Sequence, residues 1–258
     1  MRLMKRILSA AAVLALSASL LVGCSSGTAS SVPVSASSAA ESTVSSVEET
    51  ASSAVDENEA AAARLLNDLT GSYQELWPVI LADEYKQTWL DDCTALVGEE
   101  NAEAAFEKLS SMVTSDVYGE DAVEAYANGG GAYFCGFTNS LATLTFDGET
   151  STISGTDKDG NVLFSHTYHY IGMEPVHGLY EFESDDADSG EFTYFFLAPD
   201  TSAETYHIEF RYGSDAEALS QYDAGEYAYW VASGISTDCD QTMIDNCIKL
   251  FCTENLAG

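Results

Sequence analysis

The sequence predicts an α+β chain in which N-terminal helices lead into an antiparallel β-barrel and a last helix closes the domain. Three observations predict it. Apolar residues recur at helical spacing between residues 57 and 112. From residue 132 onward, short β-type runs follow one another at regular spacing, punctuated by turn residues such as Asp147-Gly148. Helical periodicity returns over 240–252. A meander of roughly seven or eight strands removes its exposed edges by closing on itself, so the expected form is a lipocalin-like barrel or half-barrel with helices packed at one end.

The first stretch is a processing signal rather than part of the fold. Arg2, Lys5 and Arg6 precede an apolar run over 7–22 that is too short and too rich in small residues to span a bilayer. It ends in Leu21-Val22-Gly23-Cys24, a lipobox pattern in which Cys24 is acylated and becomes the mature N-terminus. The two acyl chains of a diacylglycerol give firm anchoring. The expected organisation is a lipoprotein signal peptide over 1–23, a flexible Ser/Ala/Glu-rich tether over 24–58, and a barrel domain over 59–258. The tether lacks aromatics and cannot bury enough apolar area to offset its conformational entropy. Every Trp and Tyr, and every Phe except Phe251, lies between Tyr73 and Trp230, which marks the core.

The elements follow in order. Helices are expected over 57–69, 83–96 and 101–112; Trp89, Phe106 and Leu109 lie on their apolar sides, and Pro78 breaks or starts a turn in the stretch between the first two. Strands are expected over 132–137, 141–146, 150–155, 162–171 and 178–183. Phe192 to Gly213 then reads as two strands joined by a turn containing Pro199. A short helix over 215–221, an aromatic run over 227–230 and the final helix complete the chain.

Charge and motifs narrow the function. Nine Lys and Arg against 42 Asp and Glu give a formal charge of −33, and removal of the leader makes it more negative still. Nucleic acid is excluded as a partner, because phosphate binding needs clustered Lys and Arg. Acidic lipid is an equally poor partner, so attachment to a membrane has to be covalent, through Cys24. Among the six cysteines there is no C-x-x-C pair, which argues against a zinc ribbon or a thioredoxin-like centre. Cys247 and Cys252 read as small buried apolar residues of the last helix. No G-x-S-x-G, no H-E-x-x-H and no phosphate-binding loop occurs, so the expectation is a binding protein and not an enzyme. Asp157-x-Asp159-Gly160-Asn161 lacks the closing Glu of a calcium loop and reads as a hairpin turn. The acidic run over 184–191 reads as a solvated loop.

Four histidines carry what remains. Residues i and i+2 of a strand share a face, so Thr205, His207 and Glu209 are expected to point one way and Tyr206, Ile208 and Phe210 the other. His166 is expected on the face of Tyr168 and Tyr170, with His169 opposite. Neutral imidazole is the commonest zinc ligand and Glu can complete such a site, so His207 with Glu209 is the most plausible local pair, with His169 and His166 as possible additional ligands.

The domain resembles the ZinT (YodA) zinc- and cadmium-binding family and the matching C-terminal domain of AdcA zinc lipoproteins. The resemblance runs through Leu69 to Pro78, Tyr168-His169-Tyr170-Ile171-Gly172, Gly178 to Glu183, Phe192 to Pro199 and Thr205-Tyr206-His207-Ile208, in the family's order and spacing. It implies a calycin-type barrel, zinc as the bound metal, an extracytoplasmic lipid-anchored location, and delivery to a metal ABC uptake system. It also implies three histidine ligands, whose positions here hold Phe195, Thr205 and His207. Only His207 is retained. The alternative is therefore a relative of the same fold that binds no metal and serves as a protein-interaction or small-ligand module.

Overall fold

The computed structural model describes residues 57–128 and 131–257. The signal segment, Cys24 and the tether lie outside the described residues, save for 57 and 58, which are already helical. Helix α1 runs over 57–68 and buries Ala62, Leu65 and Leu66, with Leu69 just beyond it, on one stripe. Strand β1 (Gly71–Glu75) follows, and passes without a loop into α2 (Leu76–Ile80), where Pro78 sits in the first turn and costs no helical hydrogen bond. Helices α3 (Lys86–Val97) and α4 (Glu99–Ser111) are divided by Gly98, whose φ of 83° is open to glycine. A further helix, α5 (Glu120–Ala127), fills a stretch for which no element was expected.

Eight strands close into an antiparallel barrel in sequence order, with β8 returning to β1. The next four are β2 (Thr143–Asp147), β3 (Thr152–Thr156), β4 (Val162–Met173) and β5 (Tyr180–Ser184). They match the expected runs within a few residues. β6 (Tyr194–Leu197) and β7 (Ile208–Gly213) form the expected hairpin, with a short helix α6 (Ser202–Thr205) in its turn. Helix α7 (Ala216–Leu219) is capped by Asp215, whose carboxylate accepts from the backbone of Glu217 and Ala218. β8 (Ala232–Ser236) closes the sheet and α8 (Gln241–Leu256), capped by Asp240, ends the domain.

Three expectations are corrected. Residues 132–137 form no strand; Phe134 makes isolated bridges to Thr114 and Trp230 only. Side-chain bonds pin this segment instead, since Glu75 accepts from the Phe137 amide at 2.6 Å and Trp230 Nε1 donates to the Gly136 carbonyl. β1 and β8 were not expected as strands, yet they form the closing seam. Thr205 is not on a strand: it ends α6, and Tyr206 takes a left-handed φ of 67° before β7 starts.

Register separates the two faces of the sheet. Phe182, Phe195 and Tyr212 are cross-strand partners on β5, β6 and β7, so they share the inner face. Phe195 is fully buried there, with Tyr168 and Tyr212 at ring distances of 5.4 Å each and Phe164 at 5.9 Å. Helices α2, α3, α4 and α8 cover part of the outside. Phe251 of α8 stands edge-on between Trp77 (4.9 Å) and Trp89 (5.6 Å), and Trp89 Nε1 donates to the Ile80 carbonyl at 2.7 Å. These rings bind the helical layer together.

Helix α1 is seated on the β2–β3 turn. The Gly148 amide donates to Thr70 Oγ1, and a Cβ at Gly148 would lie 2.4 Å from the Cα of Asn67. Backbone cannot yield as a flexible side chain does. Gly148→Ala is therefore expected to cost about 1–3 kcal/mol, read as a lower urea midpoint with an unchanged slope. A midpoint equal to wild type would mean that α1 does not rest on this turn in solution.

Candidate functional site

β7 carries two charged residues on its outward face, Glu209 and Arg211, between the inward Ile208, Phe210 and Tyr212. All are buried, because α8 and the chain over 219–231 return across this part of the sheet. Each outward charge has its own environment.

At the start of the strand, His207 and Glu209 lie together, with His207 Nε2 3.7 Å from Glu209 Oε1. His207 Nδ1 donates to the Thr205 carbonyl at 2.7 Å, which fixes the ring plane and turns Nε2 toward the carboxylate. Cys247 of α8 lies 4.0 Å from Nδ1, at the other nitrogen. Burial works against both charges. The Cys247 and Glu209 contacts outweigh it for His207 and hold its pKa above the ordinary histidine value. At Glu209, the contact with His207 favours the carboxylate against that burial.

The residues fit part of a zinc polyhedron. Two donors on one tetrahedral zinc stand roughly 3.4 Å apart, close to the separation of Nε2 and Oε1, and an imidazole oriented through Nδ1 by a carbonyl is the usual outer-shell arrangement. The rest of the set is missing. Phe195 lies inside the barrel, on the opposite face of the sheet from Glu209. The Thr205 hydroxyl donates to the backbone carbonyls of Thr201 and His207. Among the described residues, no group of three or more His, Cys, Asp and Glu is arranged to hold a metal ion.

The other expected ligands sit elsewhere. His166 and His169 are on β4, and two strands separate β4 from β7. His166 Nδ1 lies 2.7 Å from Asp186 and His169 Nδ1 lies 2.7 Å from Asp185, so each histidine is tied to the acidic loop after β5. The opposed faces of His166 and His169 follow the expected alternation, but neither residue reaches His207.

Two features were not anticipated from the sequence. One is Cys247 beside His207. The other is a polar cluster around Arg211, which is completely buried. Its guanidinium donates to the carbonyls of Leu219, Gln221 and Tyr227 and lies 4.2 Å from the Tyr222 ring centre. The His177 ring meets the same ring at a tilt, 3.8 Å between centres. Glu174 receives the backbone N–H groups of Val176 at 2.8 Å and His177 at 2.6 Å. The available signal was a single Arg between aromatics, Phe210-Arg211-Tyr212, where an exposed strand face would favour several polar residues.

A groove of about 320 Å³ opens beside β1, lined by Trp77, Pro78, Leu81, Val113 and Phe134, with the Glu75 carboxylate at its edge.

The fold is similar to the Zn(II)-bound ZinT-like domain of Streptococcus pneumoniae AdcA, at 15% identity and a TM-score of 0.45, over 72% of this chain and 89% of that one. Zn(II)-bound AdcA from the same organism matches at 14% identity and a TM-score of 0.41, over 75% of this chain and 35% of its own. No protein-family model matches the sequence, and no curated protein does.

Two predictions come from the buried charges. Arg211→Met strips three carbonyls of their donor and is expected to cost about 2–4 kcal/mol, read by urea unfolding. Arg211→Lys is expected to recover only part of this, since an ammonium cannot reproduce the planar fork. Full stability in the methionine variant would refute the role. For Glu174, burial raises the pKa, but the hydrogen bonds from His177 and Val176 outweigh it and bring it below the ordinary 4.5. Its contribution to stability is thus present above that value and lost as pH falls through the lower folded pKa. From about pH 6 to about pH 3, Glu174→Gln is expected to lose stability less steeply than wild type. Parallel curves would count against it.

Proposed function

We propose that the chain is an extracytoplasmic, lipid-anchored binding protein whose ligand is a divalent metal ion, zinc before others, taken up for capture or for delivery to an uptake system. One observation carries the reading: the buried His207–Glu209 pair, with the imidazole oriented from Nδ1 and its second nitrogen turned to a carboxylate at zinc-compatible spacing. The lipobox at Cys24, the family resemblance of the Phe192–Gly213 hairpin, and the zinc-bound state of the two AdcA structures support it. No chemistry beyond binding is needed, and neither residue is placed as a nucleophile or general base. Zinc entering at Nε2 has to displace a proton there and would gain Glu209 as its second ligand, so this site is weaker than a three-histidine centre.

A second reading is favoured by Phe195, an aromatic at a family ligand position and locked among Phe164, Tyr168 and Tyr212. On that reading the barrel binds no metal and acts as a small-ligand or protein-interaction module.

Calorimetric titration with zinc separates the two. The wild-type chain is expected to bind one zinc at micromolar concentration, and His207→Ala to lose at least tenfold in affinity, about 1.4 kcal/mol. No heat from the wild type at micromolar zinc rejects the metal reading and leaves the second. Binding unaffected by His207→Ala would move the metal to other residues. The anchor has its own test. Fatty-acid labelling and membrane fractionation are expected to find the wild type in the membrane, and Cys24→Ala unlabelled and released. Labelled Cys24→Ala protein would exclude Cys24 as the acylation site.

A further inference from the structure

Cys93 faces inward from α3 and Cys252 faces inward from α8, and both are completely buried. Their sulfurs lie 3.9 Å apart, brought together by the packing of these helices. The two helices pack against each other along this line, with Phe251 next to Cys252 wedged against Trp89, four residues before Cys93. A bond of about 2.05 Å needs the sulfurs to close by roughly 2 Å. The contact joins positions 159 residues apart, so a cross-link here would restrain most of the domain in its unfolded state.

We infer that Cys93 and Cys252 form a disulfide when the chain meets a small-molecule disulfide such as oxidised glutathione. One cysteine, as thiolate, attacks the small disulfide and releases a first small thiolate. The second cysteine attacks the protein sulfur of that mixed disulfide and releases the other. Two protein thiols lose two electrons and two protons in all, and the small disulfide leaves as two thiols. Burial raises the pKa of both cysteines, so the exchange takes place while the chain folds or when the end of α8 opens, and the finished bond is shielded from reductants. The cross-link would pin the helix whose Cys247 closes over His207. It does not depend on zinc: failure of the zinc titration leaves it standing.

Trypsin makes the test specific. Cleavage after Lys86, Lys108 and Lys249 places Cys93 alone on the peptide 87–108 and Cys252 on the peptide that starts at Leu250, apart from Cys239 and Cys247 on 212–249. The full chain is treated with oxidised glutathione, denatured, alkylated and digested without reductant. The expected product is 87–108 joined to the Leu250 peptide, two hydrogens lighter than their sum and split by reductant. Amide exchange across 241–256 is expected to slow on oxidation, and reductant to lower the melting temperature by several degrees in wild type but not in Cys93→Ser. Recovery of both peptides fully alkylated overturns the inference, as does a cross-link from Cys252 to 212–249.

Discussion

The barrel depends on three residue pairs. Tyr73 with Ser236, Gln74 with Ile235 and Glu75 with Gly234 join β1 to β8 and turn an open meander into a closed sheet. Without them both strands would present unpaired backbone groups. The seam joins the first strand of the domain to the last, so its loop-closure cost is high and it cannot form early. Its residues are chosen for close approach. A Cβ at Gly234 would meet Tyr73 Cβ at 3.3 Å and Ile208 Cγ1 at 3.1 Å, so this is where β1, β7 and β8 converge. The Tyr73 ring fills the inner side against Phe146.

Closure also explains why β7 is buried on both sides. The inner face packs aromatics into the barrel. The outer face would be solvent-exposed in a simple barrel, but α8 and the 219–231 excursion cover it. Two charges are thereby removed from water. Arg211 is answered by backbone carbonyls and an aromatic face, and Glu209 is answered by His207. A well-packed apolar pair in place of His207 and Glu209 would fold as well or better, so retention of that ion pair is a cost in stability. The His207–Glu209 pair spends that cost at the point where the strand meets α8.

The hairpins β2 to β5 were legible because their turns carry strong signals, Asp147-Gly148 and Asp157 to Asn161. In the second, Asp157 accepts the amides of Asp159 and Asn161, the work of a turn residue rather than of a calcium ligand. The seam strands were not legible. Gly71–Glu75 runs directly into a helix with no turn between them, and in Ala232–Ser236 the face of Ala232, Gly234 and Ser236 is small where Tyr73 and Ile208 approach Gly234 closely. Residues 132–137 looked like a strand by composition, but side chains from Glu75 and Trp230 claim its backbone groups. In the site, i to i+2 spacing was enough to join His207 to Glu209. It failed at Thr205, because one helical turn and a left-handed Tyr206 intervene. It could not foresee Arg211's partners or Cys247, which arrive from chain segments outside the strand.

The aromatic packing has an optical consequence. All three tryptophans are buried, at 6% exposure or less, but they occupy two different regions. Trp77 and Trp89 flank Phe251 under the C-terminal helix, whereas Trp230 stands edge-on to Tyr212 at 5.0 Å, against the inside of the barrel. The chain therefore carries two intrinsic chromophore sets, one reporting on the helical layer and one on the sheet. Their emission would distinguish loosening of α8 from opening of the barrel without any label.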